Sequence, residues 1–416
     1  MSAFIVEGGC PLNGTVSVHG AKNSVLPILA ACILTPGECV IHNCPALSDV
    51  RASIDILRHL GCRVTQQDGT LTVDAKTLSA CDVPDRLMRE MRSSVIFLGA
   101  ILGRVGEAVM SFPGGCELGP RPIDLHLAAL RALGARIEET SVGLRCRGEG
   151  LTGCELTLSI PSVGATENAM LTAVAASGTT VINNAAREPE IVDLQRFLRT
   201  LGANIRGAGS SVITIEGGVP LHGGTFTVMA DRIVAATYLT AAAAAGGQVE
   251  VLGTDYRHLS TVTAVLAEAG CKVQSEQNRI CLSSNAPLLG VRPVRTAPYP
   301  GFPTDAQPPL MAALCKGTGT TVFVENIFEN RYRHVDELTR MGADIRVEGR
   351  VAVVCGVPQL RGARLHAADL RGGAALVVAA LGAGGESVIT GLEHVDRGYQ
   401  DLDGGLRSLG ARIRRV

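Results

Sequence analysis

The feature that most constrains the fold of this chain is an internal repeat with a period of about 70 residues. A helical pattern that ends at a glycine and leads directly into a strand pattern occurs six times. The six glycines are Gly61, Gly134, Gly202, Gly270, Gly342 and Gly410, and their spacings are 73, 68, 68, 72 and 68 residues. Each glycine suits the left-handed backbone conformation that ends a helix. The repeat therefore predicts six similar modules.

Each module also has an earlier apolar helix that is followed by a short strand. These helices are predicted to begin near Lys22, Met91, Gly164, Asp231, Asp305 and Leu370. Two helices and several strands in each module predict an α/β architecture. Two globular halves of three modules suit the 416-residue length better than a solenoid does.

Composition excludes several classes of partner. The net charge is -1, aromatic residues make up 3% of the chain, and no Trp is present. A nucleic-acid or membrane-surface partner is therefore not expected. The apolar segment 233–247 is too short to span a bilayer, so we predict a buried helix there.

The 13 cysteines include no CxxC pair, which favours neither a disulfide framework nor a zinc ribbon. Cys32, Cys62, Cys271 and Cys315 lie in apolar runs and are predicted to be small core residues. The N-terminal sequence does not resemble a signal peptide. These features predict a cytoplasmic protein.

Polar and cationic residues cluster where the helices are predicted to begin. They are Lys22, Asn23, Arg92, the segment 162–164, Asp231, Arg232, Asp305 and Arg371, with Arg121, Arg331 and Arg397 near the second helices. Taken singly, each arginine could be a solvated surface residue. As a set, arginines and helix N-termini favour a site for a ligand that carries phosphates or carboxylates.

A Gly- and Pro-rich loop at 112–124 carries Cys116. Core packing does not account for a thiol in such a loop, and nearby Arg121 favours its thiolate form. The alternative is an incidental loop cysteine. The sequence contains no Walker A motif, no GxGxxG after a strand and no HExxH, so neither a cofactor nor a metal site is predicted.

Asp305 lies in Phe-Pro-Thr-Asp at a turn that enters a helix, where capping is the alternative role. Among so many cations its carboxylate is expected to stay ionised and to be able to accept a proton. His126 lies on an otherwise apolar helix and is predicted to be a packed or hydrogen-bonded residue.

Several sequence motifs resemble the UDP-N-acetylglucosamine 1-carboxyvinyltransferase family, a branch of the EPSP synthase superfamily. The matching segments cover essentially the whole chain and are 20–23, 91–94, 113–116, 119–126, 161–168, 184–190, 295–298, 302–305, 328–331 and 396–399. The resemblance implies an inside-out α/β barrel with two domains of three βαβαββ units. One domain would cover 22–229 and the other 1–21 plus 230–416, with the active site in the cleft between them.

The resemblance implies a transferase that moves the enolpyruvyl group of phosphoenolpyruvate to the 3′-hydroxyl of UDP-N-acetylglucosamine by addition and elimination. This is the first committed step of peptidoglycan precursor synthesis, on which cell-wall biogenesis, cell shape and cell division depend. By resemblance, Cys116 protonates C3 or forms a covalent adduct and is the target of fosfomycin. Asp305 takes the hydroxyl proton, and Lys22 and Arg397 complete the catalytic set.

The resemblance also assigns two groups of binding residues. Those for phosphoenolpyruvate are Lys22, Asn23, Cys116, Arg121, Arg331, Arg371 and Arg397. Those for the UDP-sugar are Asn23, Arg92, Arg121, Pro122, Ile123, Asp124, Leu125, Ser162, Val163, Gly164, Asp305 and Ile327.

Two segments depart from the family pattern. Ile160-Pro161 replaces a Lys found in some relatives, and Gly372-Gly373 replaces bulkier residues, which predicts a looser start to that helix. Two alternative functions also stay open. One is 5-enolpyruvylshikimate-3-phosphate synthase, which lacks a Pro-Gly-Gly-Cys loop. The other is an inactive paralogue that binds the UDP-sugar.

Overall fold

The chain folds into two compact units. The computed structural model describes residues 2–91, 93–111, 123–141, 143–285 and 287–416. The described residues of 20–229 form one unit, here called the inserted unit. Residues 2–19 and 230–416 form the other, here called the outer unit.

The helices recur in the order that the repeat predicts. They are α1 (Lys22–Ala31), α2 (Ser48–His59), α3 (Asp85–Glu90), α4 (Phe97–Val105), α5 (Asp124–Ala132), α6 (Val163–Ala175), α7 (Pro189–Thr200), α8 (Arg232–Ala245), α9 (Ser260–Glu268), α10 (Gln307–Leu314), α11 (Val335–Arg340), α12 (Leu370–Gly382), α13 (Leu392–Val395) and α14 (Leu402–Ser408). Short 3-10 helices cover Cys32–Leu34, Ser94–Ile96, Tyr256–Leu259 and Thr304–Ala306.

The strands are short and alternate with these helices. They are β1 (Phe4–Glu7), β2 (Leu12–Ser17), β3 (Glu38–His42), β4 (Arg63–Gln67), β5 (Thr70–Asp74), β6 (Asp82–Val83), β7 (Glu107–Met110), β8 (Arg136–Thr140), β9 (Gly143–Arg147), β10 (Glu155–Thr157), β11 (Gly178–Asn183), β12 (Asn204–Arg206), β13 (Val212–Gly217), β14 (Gly224–Thr227), β15 (Gly247–Leu252), β16 (Lys272–Glu276), β17 (Arg279–Ser284), β18 (Leu288–Leu289), β19 (Val294–Arg295), β20 (Gly317–Thr318), β21 (Thr320–Val324), β22 (Asp344–Glu348), β23 (Val351–Cys355), β24 (Arg364–His366), β25 (Glu386–Thr390) and β26 (Arg412–Arg415).

Within the described residues, these strands form six four-stranded sheets and one two-stranded sheet. All six follow one pattern, as the order β10-β11-β13-β12 illustrates. A leading strand pairs in parallel with the strand after the first helix, and that strand pairs antiparallel with the second strand of a hairpin. In the sheet β24-β25-β1-β26, β1 takes the place of that second strand. Each sheet with its two helices is therefore a βαβαββ repeat, and the predicted α/β architecture of six modules is confirmed.

The ends of the chain complete the outer unit. Strand β1 lies between β25 and β26 in the sheet β24-β25-β1-β26, and β2 is the leading strand beside β15. Strand β14 is the leading strand of the sheet that contains β3. Each sheet of the inserted unit is thus built from residues of 20–229 alone, whereas two sheets of the outer unit need residues from the N-terminus.

The six repeat glycines all end the second helix of their module in a left-handed conformation, as predicted. Their φ angles lie between 91° and 100° at Gly61, Gly134, Gly202, Gly270, Gly342 and Gly410. A residue with a Cβ is strained there, which explains why glycine recurs at this one point of the repeat.

Each unit has its own apolar core. The Ala-rich segment predicted as a buried helix is α8, in which every residue except the last is buried. Cys32, Cys62, Cys271 and Cys315 are buried core residues, as predicted. Burial raises the pKa of the Cys315 thiol to about 12, so this group is unreactive.

The start of α12 differs from the expectation of a loose helix. Asp369 caps it by accepting hydrogen bonds from the backbone N–H groups of Arg371 and Gly372 at 3.1 and 2.8 Å. A Cβ on Gly373 would lie 2.6 Å from Val395 Cγ2 and 2.9 Å from the Cβ of Ala367. The glycine is therefore required by close packing, and the first turn is fixed rather than loose.

Candidate active site

The polar centre of the outer unit is the carboxylate of Asp305. This residue lies in the 3-10 helix that leads into α10. Its Oδ1 accepts a hydrogen bond from Arg331 Nη2 at 2.8 Å, and its Oδ2 accepts one from Arg371 Nε at 3.1 Å. Both arginine side chains are 2% exposed, whereas that of Asp305 is 27% exposed. Two buried cations thus fix a carboxylate that solvent can reach.

Arg331 is held by its surroundings as well as by Asp305. Its Nη2 also donates to the backbone carbonyl of Thr304 at 2.9 Å, and its guanidinium carbon lies 5.6 Å from the centroid of the Phe328 ring. A planar guanidinium that makes two hydrogen bonds and a ring contact has little rotational freedom. Arg331 therefore sets the position of the turn that carries Asp305.

Arg371 belongs to the first turn of α12 and lies 5.3 Å from the centroid of the Tyr399 ring. The Tyr399 hydroxyl is 2.8 Å from the hydroxyl of Thr237 on α8. Burial lowers the pKa of the Arg371 guanidinium, but Tyr399, Asp305 and Asp231 raise it, and the net pKa lies above its usual range. Arg371 therefore carries a permanent positive charge.

The remaining predicted residues of the outer unit lie on loops or at helix ends. Arg397 follows α13 and is half-buried, and Ile327 is exposed on the segment that follows β21. Asp231 caps α8, where its Oδ1 accepts hydrogen bonds from the N–H groups of Ile233 and Val234 at 2.8 and 3.1 Å.

In the inserted unit, the predicted cation Lys22 is the first residue of α1 and is buried. Its Nζ lies 2.8 Å from Oδ2 of Asp49, a buried residue in the first turn of α2. A cation at a helix N-terminus opposes the helix dipole, and the carboxylate offsets this effect. Asn23, the next residue, is exposed.

The segment 162–164 forms the start of α6. Ser162 is its N-cap and accepts a hydrogen bond from the N–H of Ala165 at 3.4 Å. A Cβ on Gly164 would lie 2.8 Å from Cε1 of His126, so the ring packs directly against this glycine. Close packing of the imidazole therefore requires glycine here.

His126 is a packed and hydrogen-bonded residue, as predicted. Its Nδ1 lies 2.7 Å from Nδ2 of Asn168, which also donates to the carbonyl of Val95 at 3.0 Å. Burial lowers the pKa of His126 to about 4, although Asp124 acts in the opposite direction. The ring is therefore neutral near pH 7, with Nδ1 as the acceptor.

The other predicted UDP-sugar residues of this unit are only partly described. Ile123 precedes α5, Asp124 is its exposed first residue, and Leu125 packs against the core of the unit. Arg92, Cys116, Arg121 and Pro122 lie outside the described residues.

Sequence reasoning missed Asp49 and Tyr399 as partners of the predicted cations. An aspartate in the first turn of a helix is favourable on account of the helix dipole alone, so nothing in the sequence distinguishes Asp49. Tyr399 follows Arg397 by two residues within a family motif, which could have drawn attention to it.

The described residues lack two kinds of feature. They contain no group of three or more His, Cys, Asp or Glu side chains arranged to hold a metal ion. No helix among them is long and apolar enough to cross a membrane.

Six βαβαββ repeats and a carboxylate that is bound by two arginines define a class of protein. Comparison with known proteins identifies this class. A family model described as EPSP synthase (3-phosphoshikimate 1-carboxyvinyltransferase) matches residues 6–406. The chain therefore belongs to the EPSP synthase family of enolpyruvyl transferases.

Within that family, the chain is similar to proteins named UDP-N-acetylglucosamine 1-carboxyvinyltransferase. It is 51% identical to one from Caldanaerobacter subterraneus subsp. tengcongensis, with 100% of both chains covered. It is also 51% identical to one from Symbiobacterium thermophilum, with 99% of this chain and 95% of the relative covered.

Solved structures agree on the fold. The enolpyruvyl transferase NikO from Streptomyces tendae superposes with a TM-score of 0.89 at 26% identity, covering 100% of this chain and 99% of that one. An EPSP synthase from Acinetobacter baumannii gives a TM-score of 0.77 at 19% identity, with 100% of both chains covered. The second similarity concerns the fold alone.

Proposed function

We propose that this chain transfers the enolpyruvyl group of phosphoenolpyruvate to the 3′-hydroxyl of UDP-N-acetylglucosamine and releases phosphate. The observation that carries the proposal is the Asp305 carboxylate, which is held by Arg331 and Arg371 and still reaches solvent. Relatives with 51% identity over essentially their full length carry the name of this activity.

In the proposed reaction, the sugar hydroxyl attacks C2 of phosphoenolpyruvate while C3 accepts a proton. The resulting tetrahedral ketal loses phosphate from C2 and a proton from C3, which restores the double bond of the enol ether. Asp305 accepts the hydroxyl proton, a role for which its fixed and accessible carboxylate is suited. Arg331, Arg371 and Arg397 stabilise the negative charge of the phosphate and carboxylate groups.

The inserted unit supplies the other groups in this proposal. Lys22 and Asn23 bind phosphoenolpyruvate together with Arg121 in this proposal. Lys22 is well placed for such a role because Asp49 holds its ammonium group at the N-terminus of α1.

We propose that UDP-N-acetylglucosamine is bound by the residues that the family resemblance assigns to it. The inserted unit provides Asn23, Arg92, Arg121, Pro122, Ile123, Asp124, Leu125, Ser162, Val163 and Gly164, and the outer unit provides Asp305 and Ile327. The start of α6 supports this assignment because a helix N-terminus with free N–H groups binds anions such as a diphosphate.

Cys116 is proposed to protonate C3 or to form a covalent adduct, and to be the residue that fosfomycin modifies. We predict that Cys116→Ser loses most activity or at least its sensitivity to fosfomycin, because a hydroxyl is a much weaker acid and nucleophile than a thiol. Rates of phosphate release with and without fosfomycin measure both effects. A variant that is fully active and still inhibited would exclude this role.

In the cell, the proposed reaction would supply the first committed precursor of peptidoglycan in the cytoplasm. Loss of the activity would then disturb cell-wall biogenesis, and with it cell shape and division.

Phosphate release from phosphoenolpyruvate tests the proposal when each candidate acceptor is supplied separately. We expect release with UDP-N-acetylglucosamine and none with shikimate 3-phosphate. Release only with shikimate 3-phosphate would favour a 5-enolpyruvylshikimate-3-phosphate synthase. Release with neither acceptor, together with binding of the UDP-sugar, would favour an inactive paralogue.

A further inference from the structure

A second buried carboxylate lies next to the Asp305 centre and has no part in the reaction proposed above. Glu325 directly follows β21 and is 1% exposed. A buried carboxylate needs several hydrogen bonds to compensate for the loss of its hydration. The groups that donate hydrogen bonds to Glu325 include some on two segments that carry proposed substrate-binding residues.

The first set of donors fixes the segment after β21. Oε1 of Glu325 accepts hydrogen bonds from the N–H groups of Ile327 and Phe328 at 2.8 and 3.1 Å. It accepts a third from the hydroxyl of Thr296 at 2.9 Å. Ile327 is one of the proposed UDP-sugar residues, so Glu325 determines where its backbone lies.

The second contact fixes the turn of Asp305. Oε2 of Glu325 accepts a hydrogen bond from the hydroxyl of Thr304 at 3.0 Å. Thr304 begins the 3-10 helix that contains Asp305, and its carbonyl accepts the hydrogen bond from Arg331 Nη2. The two oxygens of one carboxylate thus join the Ile327 segment to the Asp305 turn.

We propose that Glu325 is a positioning residue that fixes the Asp305 carboxylate relative to the Ile327 segment. It acts through the hydroxyl of Thr304. This inference rests on the proposed function. Its consequence is that the contact at Ile327 and the proton transfer at Asp305 depend on one another. A reacting group that is misplaced by about 1 Å can lose about 100-fold in rate.

The sharpest test removes only the link between Glu325 and the Asp305 turn. Thr304→Val keeps the shape of the side chain but removes the hydroxyl, and we expect its kcat to fall about 10-fold or more. Thr304→Ser keeps the hydroxyl and should retain a kcat close to that of the wild type. Glu329→Gln is the matched control, because Glu329 lies on the same segment but has a side chain that is 66% exposed.

The steady-state kcat and the KM for UDP-N-acetylglucosamine should be measured for all three variants, together with their thermal unfolding midpoints. The inference predicts a lower kcat for Thr304→Val at an unfolding midpoint that still leaves it folded at the assay temperature. If this variant does not fold, Thr304→Ala replaces it. Alanine also lacks the hydroxyl that bonds to Glu325, and a several-fold lower kcat is expected.

The outcomes separate the two proposals. A wild-type chain that is active, with a Thr304→Val or Thr304→Ala variant of equal kcat, would overturn the positioning role alone. Equal losses in Thr304→Val and Thr304→Ser would also overturn it, because the hydroxyl would then not be the link. A wild-type chain that releases no phosphate with UDP-N-acetylglucosamine would overturn the proposed function, and this inference with it.

Discussion

At the residue scale, the proposed chemistry depends on ion pairs that are shielded from water. The pair of Lys22 and Asp49 joins α1 to α2 with side chains that are 10% and 2% exposed. The attraction between two charges is much stronger here than at the surface, and so is the cost of leaving one of them unpaired. Such a pair can hold Lys22, a proposed substrate-binding cation, in one position.

Asp49→Asn tests this dependence. The change removes the negative charge of Asp49 from beside the buried ammonium group of Lys22, so we expect the free energy of unfolding to fall by about 3 kcal/mol. Asp55→Asn on the same helix is the control, because its side chain is 39% exposed and lies 3.7 Å from Arg58. The control should change stability by no more than about 0.5 kcal/mol. Urea-induced unfolding measures both, and equal values would contradict the role given to Asp49.

The sequence predicts the individual residues of the Asp305 centre better than their pairing. The turn before α10 is recognisable from Phe302-Pro303, and the arginines stand out because they precede or open helices. The partners of Asp305 are 26 and 66 residues away along the chain, however. No local pattern encodes such contacts, so the pairing emerges only when the repeats pack together.

At the scale of the elements, the repeat glycines were predictable because one physical requirement recurs six times. A helix that turns directly into a strand needs a left-handed residue, and all six glycines have that conformation. The role of the glycines in α12 was not predictable, because it depends on tertiary packing. Helix propensity alone predicts a loose start, whereas neighbouring side chains leave no room for a Cβ.

Gly373→Ala tests the packing of α12. Alanine favours a helix by about 1 kcal/mol over glycine, but the new Cβ would lie 2.6 Å from Val395 Cγ2. We expect a net destabilisation of about 1–3 kcal/mol, as overpacking usually causes. The thermal unfolding midpoint of the variant measures this effect.

A double variant provides the control for this prediction. Val395→Ala removes the methyl group that lies closest to the new Cβ, so Gly373→Ala should cost less in that background than in the wild type. The packing argument would be contradicted if Gly373→Ala raised the stability, or if its cost were the same in both backgrounds.

At the scale of the whole molecule, the two units differ in which parts of the chain form them. The inserted unit is one continuous stretch, and its three sheets contain strands of 20–229 only. The outer unit places β1 in the middle of one sheet and β2 at the edge of another. The six modules could be counted in the sequence. The pairing of β1 with β25 and β26 could not be predicted from the sequence, because a short apolar segment does not show which distant strand it will join.

This asymmetry predicts that the segment 20–229 folds on its own, whereas 230–416 does not. The first retains all of its sheets, but the second lacks a central strand, which leaves β25 paired with β24 alone and removes the strand that pairs with β26. Far-UV circular dichroism and thermal unfolding of the two separate segments test the prediction. A cooperative unfolding transition of 230–416 alone would contradict it.

The central claim is that the carboxylate of Asp305 accepts the proton of the sugar hydroxyl. The most direct measurement is the rate of phosphate release from phosphoenolpyruvate with UDP-N-acetylglucosamine, compared between the wild type and Asp305→Asn. An amide keeps the shape of the side chain but is a poor base, so kcat should fall by about 100-fold or more. Asp344→Asn, an exposed change in the same unit, should have no effect. A kcat for Asp305→Asn within a few-fold of the wild type would contradict the claim.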